Sequence, residues 1–473
     1  MQSLPVTPQS TKLPFREMLA FGCGDFASVL YWQTFMRYLP YYYTDVFGIT
    51  AGALATMLLV SRIWDGINDP MLGMLADRTE SRWGKFRPFI LFGCVPFAFF
   101  GVLTFTTPAL GPAGKLVWAY LTYNALMMLY TTVNIPYTAL MGVMTRDPVE
   151  RTRLASIKFV FAFSAGMVIS ATLLPMVSAL GGDKNPQRGW QLVFVLVGLV
   201  AVGFFLITAL GTTERIKPRP EENASVLRDL KYLVTNQAWV LLLCTTLAWI
   251  LFVALRGSVS THYFKYFVFN GSPETPLPFL GRTFTLDGLV STFNTLGQAA
   301  SVAGVVVLSL IAHKFPKKSL FIALFALQIV CTASYLFLQP GQLGAIFTLE
   351  ILGNFLGAPL PVLMWAMYAD TADFGEWKSG RRTTALVFSA STMSQKLGWA
   401  LAAFVAFRLL QLVGFVANEI PSEAVKGSLV RLMSIYPAAL GVLSIVVFLF
   451  YPLNEKRVAE IHEELKRRRA EPG

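Results

Sequence analysis

The 473-residue chain is 55% hydrophobic and 14% aromatic but only 14% charged, a balance that excludes an ordinary soluble globule and leaves a lipid bilayer as its solvent. Its formal net charge of +12 is spread between apolar segments, not gathered into a basic domain or stripe, so nucleic acid is not an expected partner. Cys23, Cys94, Cys244 and Cys331 sit in or beside apolar runs without metal-like spacing, and the three histidines lie far apart; with so little material for a metal centre or a nucleophile–base pair, the chain is not expected to be an enzyme.

The first sixteen residues are polar and include Pro5, Pro8 and Pro14, and no cleavable signal is expected there. A spanning helix takes about 20 mostly apolar residues. The sequence offers about twelve such runs, at 18–43, 51–75, 88–107, 115–144, 155–180, 190–211, 237–268, 286–312, 319–338, 342–372, 383–413 and 429–453. Basic residues collect in alternate breaks: Arg78, Arg82, Lys85 and Arg87 after the second run, Arg146 to Lys158 after the fourth, and Lys456 to Arg469 in the tail. That asymmetry predicts cytoplasmic termini. The polar break 212–236 divides the runs six and six. The expected organisation is therefore a cytoplasmic N-terminus (1–17), a six-helix half (18–211), a cytoplasmic middle loop (212–236), a second six-helix half (237–453) and a cytoplasmic tail (454–473). A faint echo between YTALMGVMTRD and WAMYADTAD, at equivalent places in the halves, fits the all-α architecture of the major facilitator class.

An ionisable side chain inside a spanning helix costs about 2.5 to 3.5 kcal/mol on insertion scales, so each one calls for a partner or a task. Asp25 falls in the first run, Arg62, Asp65 and Asp69 in the second, within RIWDGINDP, and Lys396 in the eleventh, within MSQKLGWA. Asp65 and Asp69 are spaced to share one helix face, with Arg62 a turn earlier. Two acids so placed repel unless Arg62, a lysine from another helix, a proton or a metal cation stands between them. A helix-locking salt-bridge cluster is the plainer alternative. A hard cation such as sodium would find its metal ligands in Asp65 and Asp69, with oxygens from Asn68 and Thr131. Lys396 and Arg62 are the candidate coupling groups: if the acid pair is the counter-charge of Lys396, cation entry would release the lysine and alter the solute site.

Asp370, Asp373 and Glu376 leave the tenth run at spacings of three, while the loop after the second, DRTESRWGKFRP, carries Asp77, Arg78, Arg82 and Lys85. Together with Arg382 these could form an ionic latch across the cytoplasmic mouth; solvated loop charges are the simpler alternative. Asp25, Tyr31, Trp32, Tyr130, Asn134, Tyr137 and Trp365 are candidates to line a sugar pocket, since rings stack on sugars and carboxylates accept their hydroxyl protons. Most bundle aromatics are packing residues. Arg37, Arg256 and Glu350 have no role readable from the sequence.

The segments CGDFAS, YYYTDVFG, SRIWDGINDPMLG, SRWGKFRPFIL, NIPY and ADTADFGEWKSGRR, followed by Lys396, resemble the glycoside-pentoside-hexuronide:cation symporters of the major facilitator superfamily, whose best-known member is the melibiose carrier. The resemblance implies a sodium, lithium or proton site at Asp65 and Asp69 aided by Asn68 and Thr131, with Lys396 linking cation and sugar and Asp25 as the sugar-binding acid. The sugar half departs from the melibiose pattern. Asn134 replaces a second acid, Thr138 replaces a tryptophan one turn later, and Lys158 stands one position from the family's basic residue. Pro361 takes the place of the tenth-span tryptophan, leaving Trp365 a turn further on; Gln395, beside Lys396, completes the candidate sugar set. The resemblance implies a multi-pass protein of the bacterial inner membrane that imports a glycoside, pentoside or related sugar with a monovalent cation by alternating access. Its partners would be the sugar, the cation and the lipid bilayer, with no cofactor beyond the coupling ion. A carrier of another cargo, such as a lysolipid, and a non-transporting sugar sensor are the alternatives.

Overall fold

A computed structural model describes residues 12–79, 81–145, 148–182, 185–215, 233–311, 314–379 and 384–470. Its long helices follow the apolar runs closely. The first six spans are Phe15–Arg37, Ala51–Arg78, Arg87–Thr104, Pro112–Met144, Pro148–Gly181 and Pro186–Gly211. The seventh, eighth, ninth and eleventh are Gln237–His262, Leu286–Ile311, Lys317–Ala333 and Thr384–Leu412, while the tenth and twelfth are each broken in two, at Leu343–Gly357/Pro359–Ser379 and Glu423–Met433/Ile435–Leu449. Proline opens the fourth, fifth and sixth spans, where its missing N–H has no helical partner to lose. The same chemistry explains the break in the tenth, because Pro359 cannot donate back into the preceding turn.

Among the described residues, nine of these segments are long and apolar enough to cross a bilayer by length and composition. The other three spans, Phe15–Arg37, Ala51–Arg78 and Thr384–Leu412, are those that hold Asp25, the Arg62–Asp65–Asp69 group and Lys396. These three helices give up hydropathy to carry charge, which inside a bilayer calls for a partner or a task.

The first span does not stop at Arg37 but continues through a short helix, Leu39–Tyr41, into a π-helical turn, Tyr42–Phe47, closed by Gly48 at φ 88°. The seventh repeats the device, ending in a π-helical turn at Tyr263–Val268. Among the described residues, strand is limited to a hairpin of Leu277–Phe279 and Arg282–Phe284, paired antiparallel with Leu277 opposite Phe284.

Packing divides the described chain into two compact units, one drawn from Met1–Gln33, Trp64–Ile169 and Ala179–Pro220, the other from Thr34–Ile63, Ser170–Ser178 and Glu221–Gly473. In the first unit backbone carbonyls of the first span accept hydroxyls from its neighbours: Tyr137 donates to Phe21 O at 3.0 Å and Thr208 to Ala20 O at 2.7 Å. Gly24 is required there, since a Cβ would lie 2.5 Å from the Tyr137 ring. Phe105 and Phe194 stack with centroids 3.5 Å apart beside Trp190.

In the second unit the core gathers Trp239, Phe252, Phe321, Phe325, Tyr368 and Phe448. A charged knot is buried beside it. Arg256 donates to Glu350 at 3.0 Å and to Thr332 at 3.3 Å, and its guanidinium lies 4.7 Å from the Tyr335 ring centroid. Glu350 also accepts from Asn354 at 2.8 Å. The last helix, Glu455–Ala470, buries Ile461 and Leu465 and turns most of its charges outward. Truncating one member of a buried ion pair strands the other, a loss of about 3 to 5 kcal/mol. Glu350→Ala is therefore expected to lower the melting temperature of the detergent-solubilised protein sharply, whereas Glu423→Ala, which removes an exposed i,i+3 partner of Lys426, should leave it nearly unchanged.

Candidate solute and cation site

The first unit brings several of the sequence-derived candidates together. Asp25 sits on the first span with Lys158 of the fifth at 3.7 Å, and the same ammonium lies 5.8 Å from the Tyr137 ring centroid. The lysine that strict register left one position off is thus the partner of the acid. At 3.7 Å the pair is an ion pair without close hydrogen-bonding geometry, and both side chains keep partial exposure, 25% for Lys158 and 13% for Asp25. A carboxylate and an ammonium so placed can each still take a hydroxyl. Trp32 and Tyr130 stack, centroids 5.9 Å apart at 26°. Asn134 spends its amide locally, donating to Tyr130 O at 3.1 Å, and Thr138 is exposed. Tyr31 is fully buried, its ring 4.4 Å from Phe97 and packed on Gly101, so its position is one of packing.

The second span carries the cation candidates. Thr131 of the fourth span donates to Asp69 at 2.9 Å. Arg62, Asp65, Asn68 and Thr131 are all buried, at 6% exposure or less. The Asn68 Nδ2 makes no hydrogen bond among the described residues, and a buried amide left in that condition is energetically expensive unless something else satisfies it. Asp69 and Thr131 are two members of the candidate set that direct contact joins. In the second unit, Lys396 and Gln395 lie partly buried on the eleventh span, and Trp365, on the tenth, is 37% exposed.

Of the charges considered for the cytoplasmic latch, Asp370 is held by Lys317 at 2.7 Å and Asp373 by His462 at 2.7 Å, both within the second unit. Arg82 lies over its neighbour Trp83. The side chains of Asp77 and Arg78, and all of Arg382, lie outside the described residues.

Sequence reasoning passed over the acid that organises the basic loop. Glu214, just past the sixth span, accepts three backbone N–H groups, from Lys85 and Phe86 at 2.8 Å and Arg87 at 3.0 Å, and so caps the third span. A carboxylate at a helix N-terminus satisfies donors that have no helical partner and meets the positive end of the dipole. Gly84, at φ 109°, brings the loop close, and a Cβ there would meet Glu214 at 2.5 Å. One residue on, Arg215 grips Glu17 through two 2.7 Å contacts, which hold its guanidinium above its ordinary pKa. Also missed was Asp45, which lies inside the quoted YYYTDVFG segment but was not weighed as a charge.

A family model described as MFS/sugar transport protein matches residues 20–455. Among curated proteins, the chain is 34% identical to the inner membrane symporter YicJ of Escherichia coli (strain K12), over 97% of this chain and 96% of that protein. It is 33% identical to the putative glycoside/cation symporter YagG of the same organism, over 98% and 97% of the two chains. With the isoprimeverose transporter of Lactiplantibacillus pentosus the identity is 30%, over 96% and 92%. Among solved structures, a D-xylose-proton symporter superposes with a TM-score of 0.62 at 13% identity, covering 92% of this chain and 96% of that one, which speaks for the fold alone.

Glu214→Ala would strand three amide donors at the start of the third span, a loss of roughly 2 kcal/mol for caps of this kind. Limited proteolysis should then cut the loop preceding Arg87 faster than in the native chain, with the rest of the cleavage pattern unchanged.

Proposed function

Because this chain belongs to the MFS/sugar transport protein family, we propose that it is a secondary active symporter that imports a glycoside, pentoside or related sugar together with sodium or a proton. The observation that carries the reading is the pairing of Asp25 with Lys158, together with the contact of Thr131 with Asp69, inside one compact unit. The first supplies an acceptor and a donor for sugar hydroxyls, and the stacked rings of Trp32 and Tyr130 lie in the same unit, with Trp32 on the same helix as Asp25. The second supplies clustered oxygens for a hard cation. Lithium would compete for the same oxygens. The relatives described as symporters and as an isoprimeverose transporter support the same class of cargo.

Asp25 accepts sugar hydroxyls beside the Lys158 ammonium, and Asn134 and Thr138 set the shape of the sugar subsite. Asp65, Asn68, Asp69 and Thr131 hold the cation. Arg62 and Lys396 report its presence: with the cation bound, the positive charges that neutralise the two acids are displaced, and the solute site changes with them. Solute and cation bind near the bilayer midplane between two six-helix halves, which rock to expose the site to each face in turn, with both chain ends cytoplasmic.

Uptake of a panel of radiolabelled glycosides and pentosides into membrane vesicles, with sodium and pH gradients imposed separately, tests the proposal. One sugar should accumulate under one of the two gradients; accumulation of none under either would sink it. Asp69→Asn should lower cation-stimulated uptake by at least about a hundredfold while solute binding persists, and undiminished stimulation would remove Asp69 from the cation site. Asp25→Ala should abolish sugar binding in equilibrium dialysis, with retained affinity as the contrary outcome.

A further inference from the structure

A second buried charge cluster lies in the second unit, apart from the candidate solute and cation residues. Asp45, in the π-helical turn after the first span, has a side chain 1% exposed. Its Oδ1 accepts from Lys265 at 2.7 Å and from the Tyr266 hydroxyl, both in the π-helical turn that follows the seventh span. Its Oδ2 lies 2.6 Å from Thr44 Oγ1 and 3.3 Å from Nε2 of the fully buried His262. Asn418, from the loop between the eleventh and twelfth spans, completes the set. Its Oδ1 accepts from Lys265 at 2.6 Å, its Nδ2 donates to the Asp45 carbonyl at 2.8 Å and its N–H donates to Tyr266 at 2.8 Å. Asn418 does so at φ 62°, in the left-handed region that asparagine enters more readily than other non-glycine residues.

The three segments come from both sequence halves, and each follows an odd-numbered span, so all three lie on one face of the membrane, opposite the start of the first span. The seam continues beside the cluster. A Cβ on Gly52, at the start of the second span, would fall 2.3 Å from Oε1 of Gln411, at the end of the eleventh, so the Gln411 side chain reaches the Gly52 backbone. Buried ion pairs suit a contact that must open, because the desolvation of the charges offsets much of their attraction and both regain water on parting. They also fix register, since only one alignment of the two turns satisfies every group. π-Helical turns are frequent where a helix serves a function.

We propose that Asp45, Lys265, Tyr266, His262 and Asn418 form a reversible latch that closes the solute path on this face and must break in each transport cycle. The proposal rests on the alternating-access reading above. It differs from a permanent structural knot in requiring the seam to part.

The native chain and a Gly52→Cys/Gln411→Cys variant, reconstituted in vesicles, provide the first test. Oxidation should join the two cysteines, lower uptake at least about tenfold and do so reversibly, with full recovery on adding reductant. Undiminished uptake with the disulfide formed, as seen by mass spectrometry, would overturn the latch and leave the transporter reading standing. Cysteines that fail to join would contradict the close seam. Uptake absent from the reduced variant and the native chain alike would count against the transporter reading. A second test needs no substrate: Val46→Cys, at a site 9% exposed, is treated with a membrane-impermeant maleimide. Adding Asp45→Asn should raise its labelling rate at least about tenfold, and the charge-exchanged Asp45→Lys/Lys265→Asp pair should bring the rate back down. Equal rates in all three backgrounds would overturn the proposal.

Discussion

The constraint on which this protein turns is the cost of an ionised group in hydrocarbon. A lone charge at the bilayer centre costs about 2.5 to 3.5 kcal/mol even on the mildest scale. The structure meets that cost by pairing. Asp25 has Lys158, Arg256 has Glu350, and Asp45 has Lys265 and Tyr266. The pairs are not alike. Arg256–Glu350 is enclosed and further tied to Asn354 and Thr332, the geometry of a knot that stays. Asp25–Lys158 is longer and partly exposed, the geometry of a pair that can share its atoms with a solute.

Close backbone approach is the second device, and it follows from the first. Helices in lipid gain nothing from burying apolar surface against each other, so they associate through packing of small residues and interhelical hydrogen bonds. Gly24 against Tyr137, Gly101 against Tyr31 and Gly304 against the Phe355 carbonyl show the small residues, with added Cβ atoms falling at 2.5, 2.6 and 2.1 Å. Tyr137 to Phe21 O, Thr208 to Ala20 O and Ser444 to Thr245 O show the hydrogen bonds. The contacts of Gly24, Gly101, Phe21 and Ala20 hold the first span against its neighbours, and Asp25 is carried on that span.

Elements with a strong local signal were legible without the fold. Spans defined by about 20 apolar residues came out within a few residues of the helices, because hydrophobic length alone determines them. The Asp65/Asp69 pair was legible because helical spacing puts both on one face. Lys158 was legible only as a nearby stand-in, since one residue of drift along a helix matters in a pattern and much less to a flexible four-carbon side chain. Glu214 was not legible: an acid in a polar loop looks solvated until the loop folds back over three open amides.

The sequence by itself determined the solvent, the spans, the family and which buried charges would need partners, since hydropathy and spacing are properties of the chain read locally. Only the tertiary structure decided who those partners are. Asp370 is joined to Lys317 and Asp373 to His462, 53 and 89 residues away, and Asp45 is joined to Lys265 across 220 residues. An ion pair forms by distance in space and charge, neither of which carries a trace in sequence separation, so the same acids that look alike in a loop are divided by folding into cap, knot, latch and site.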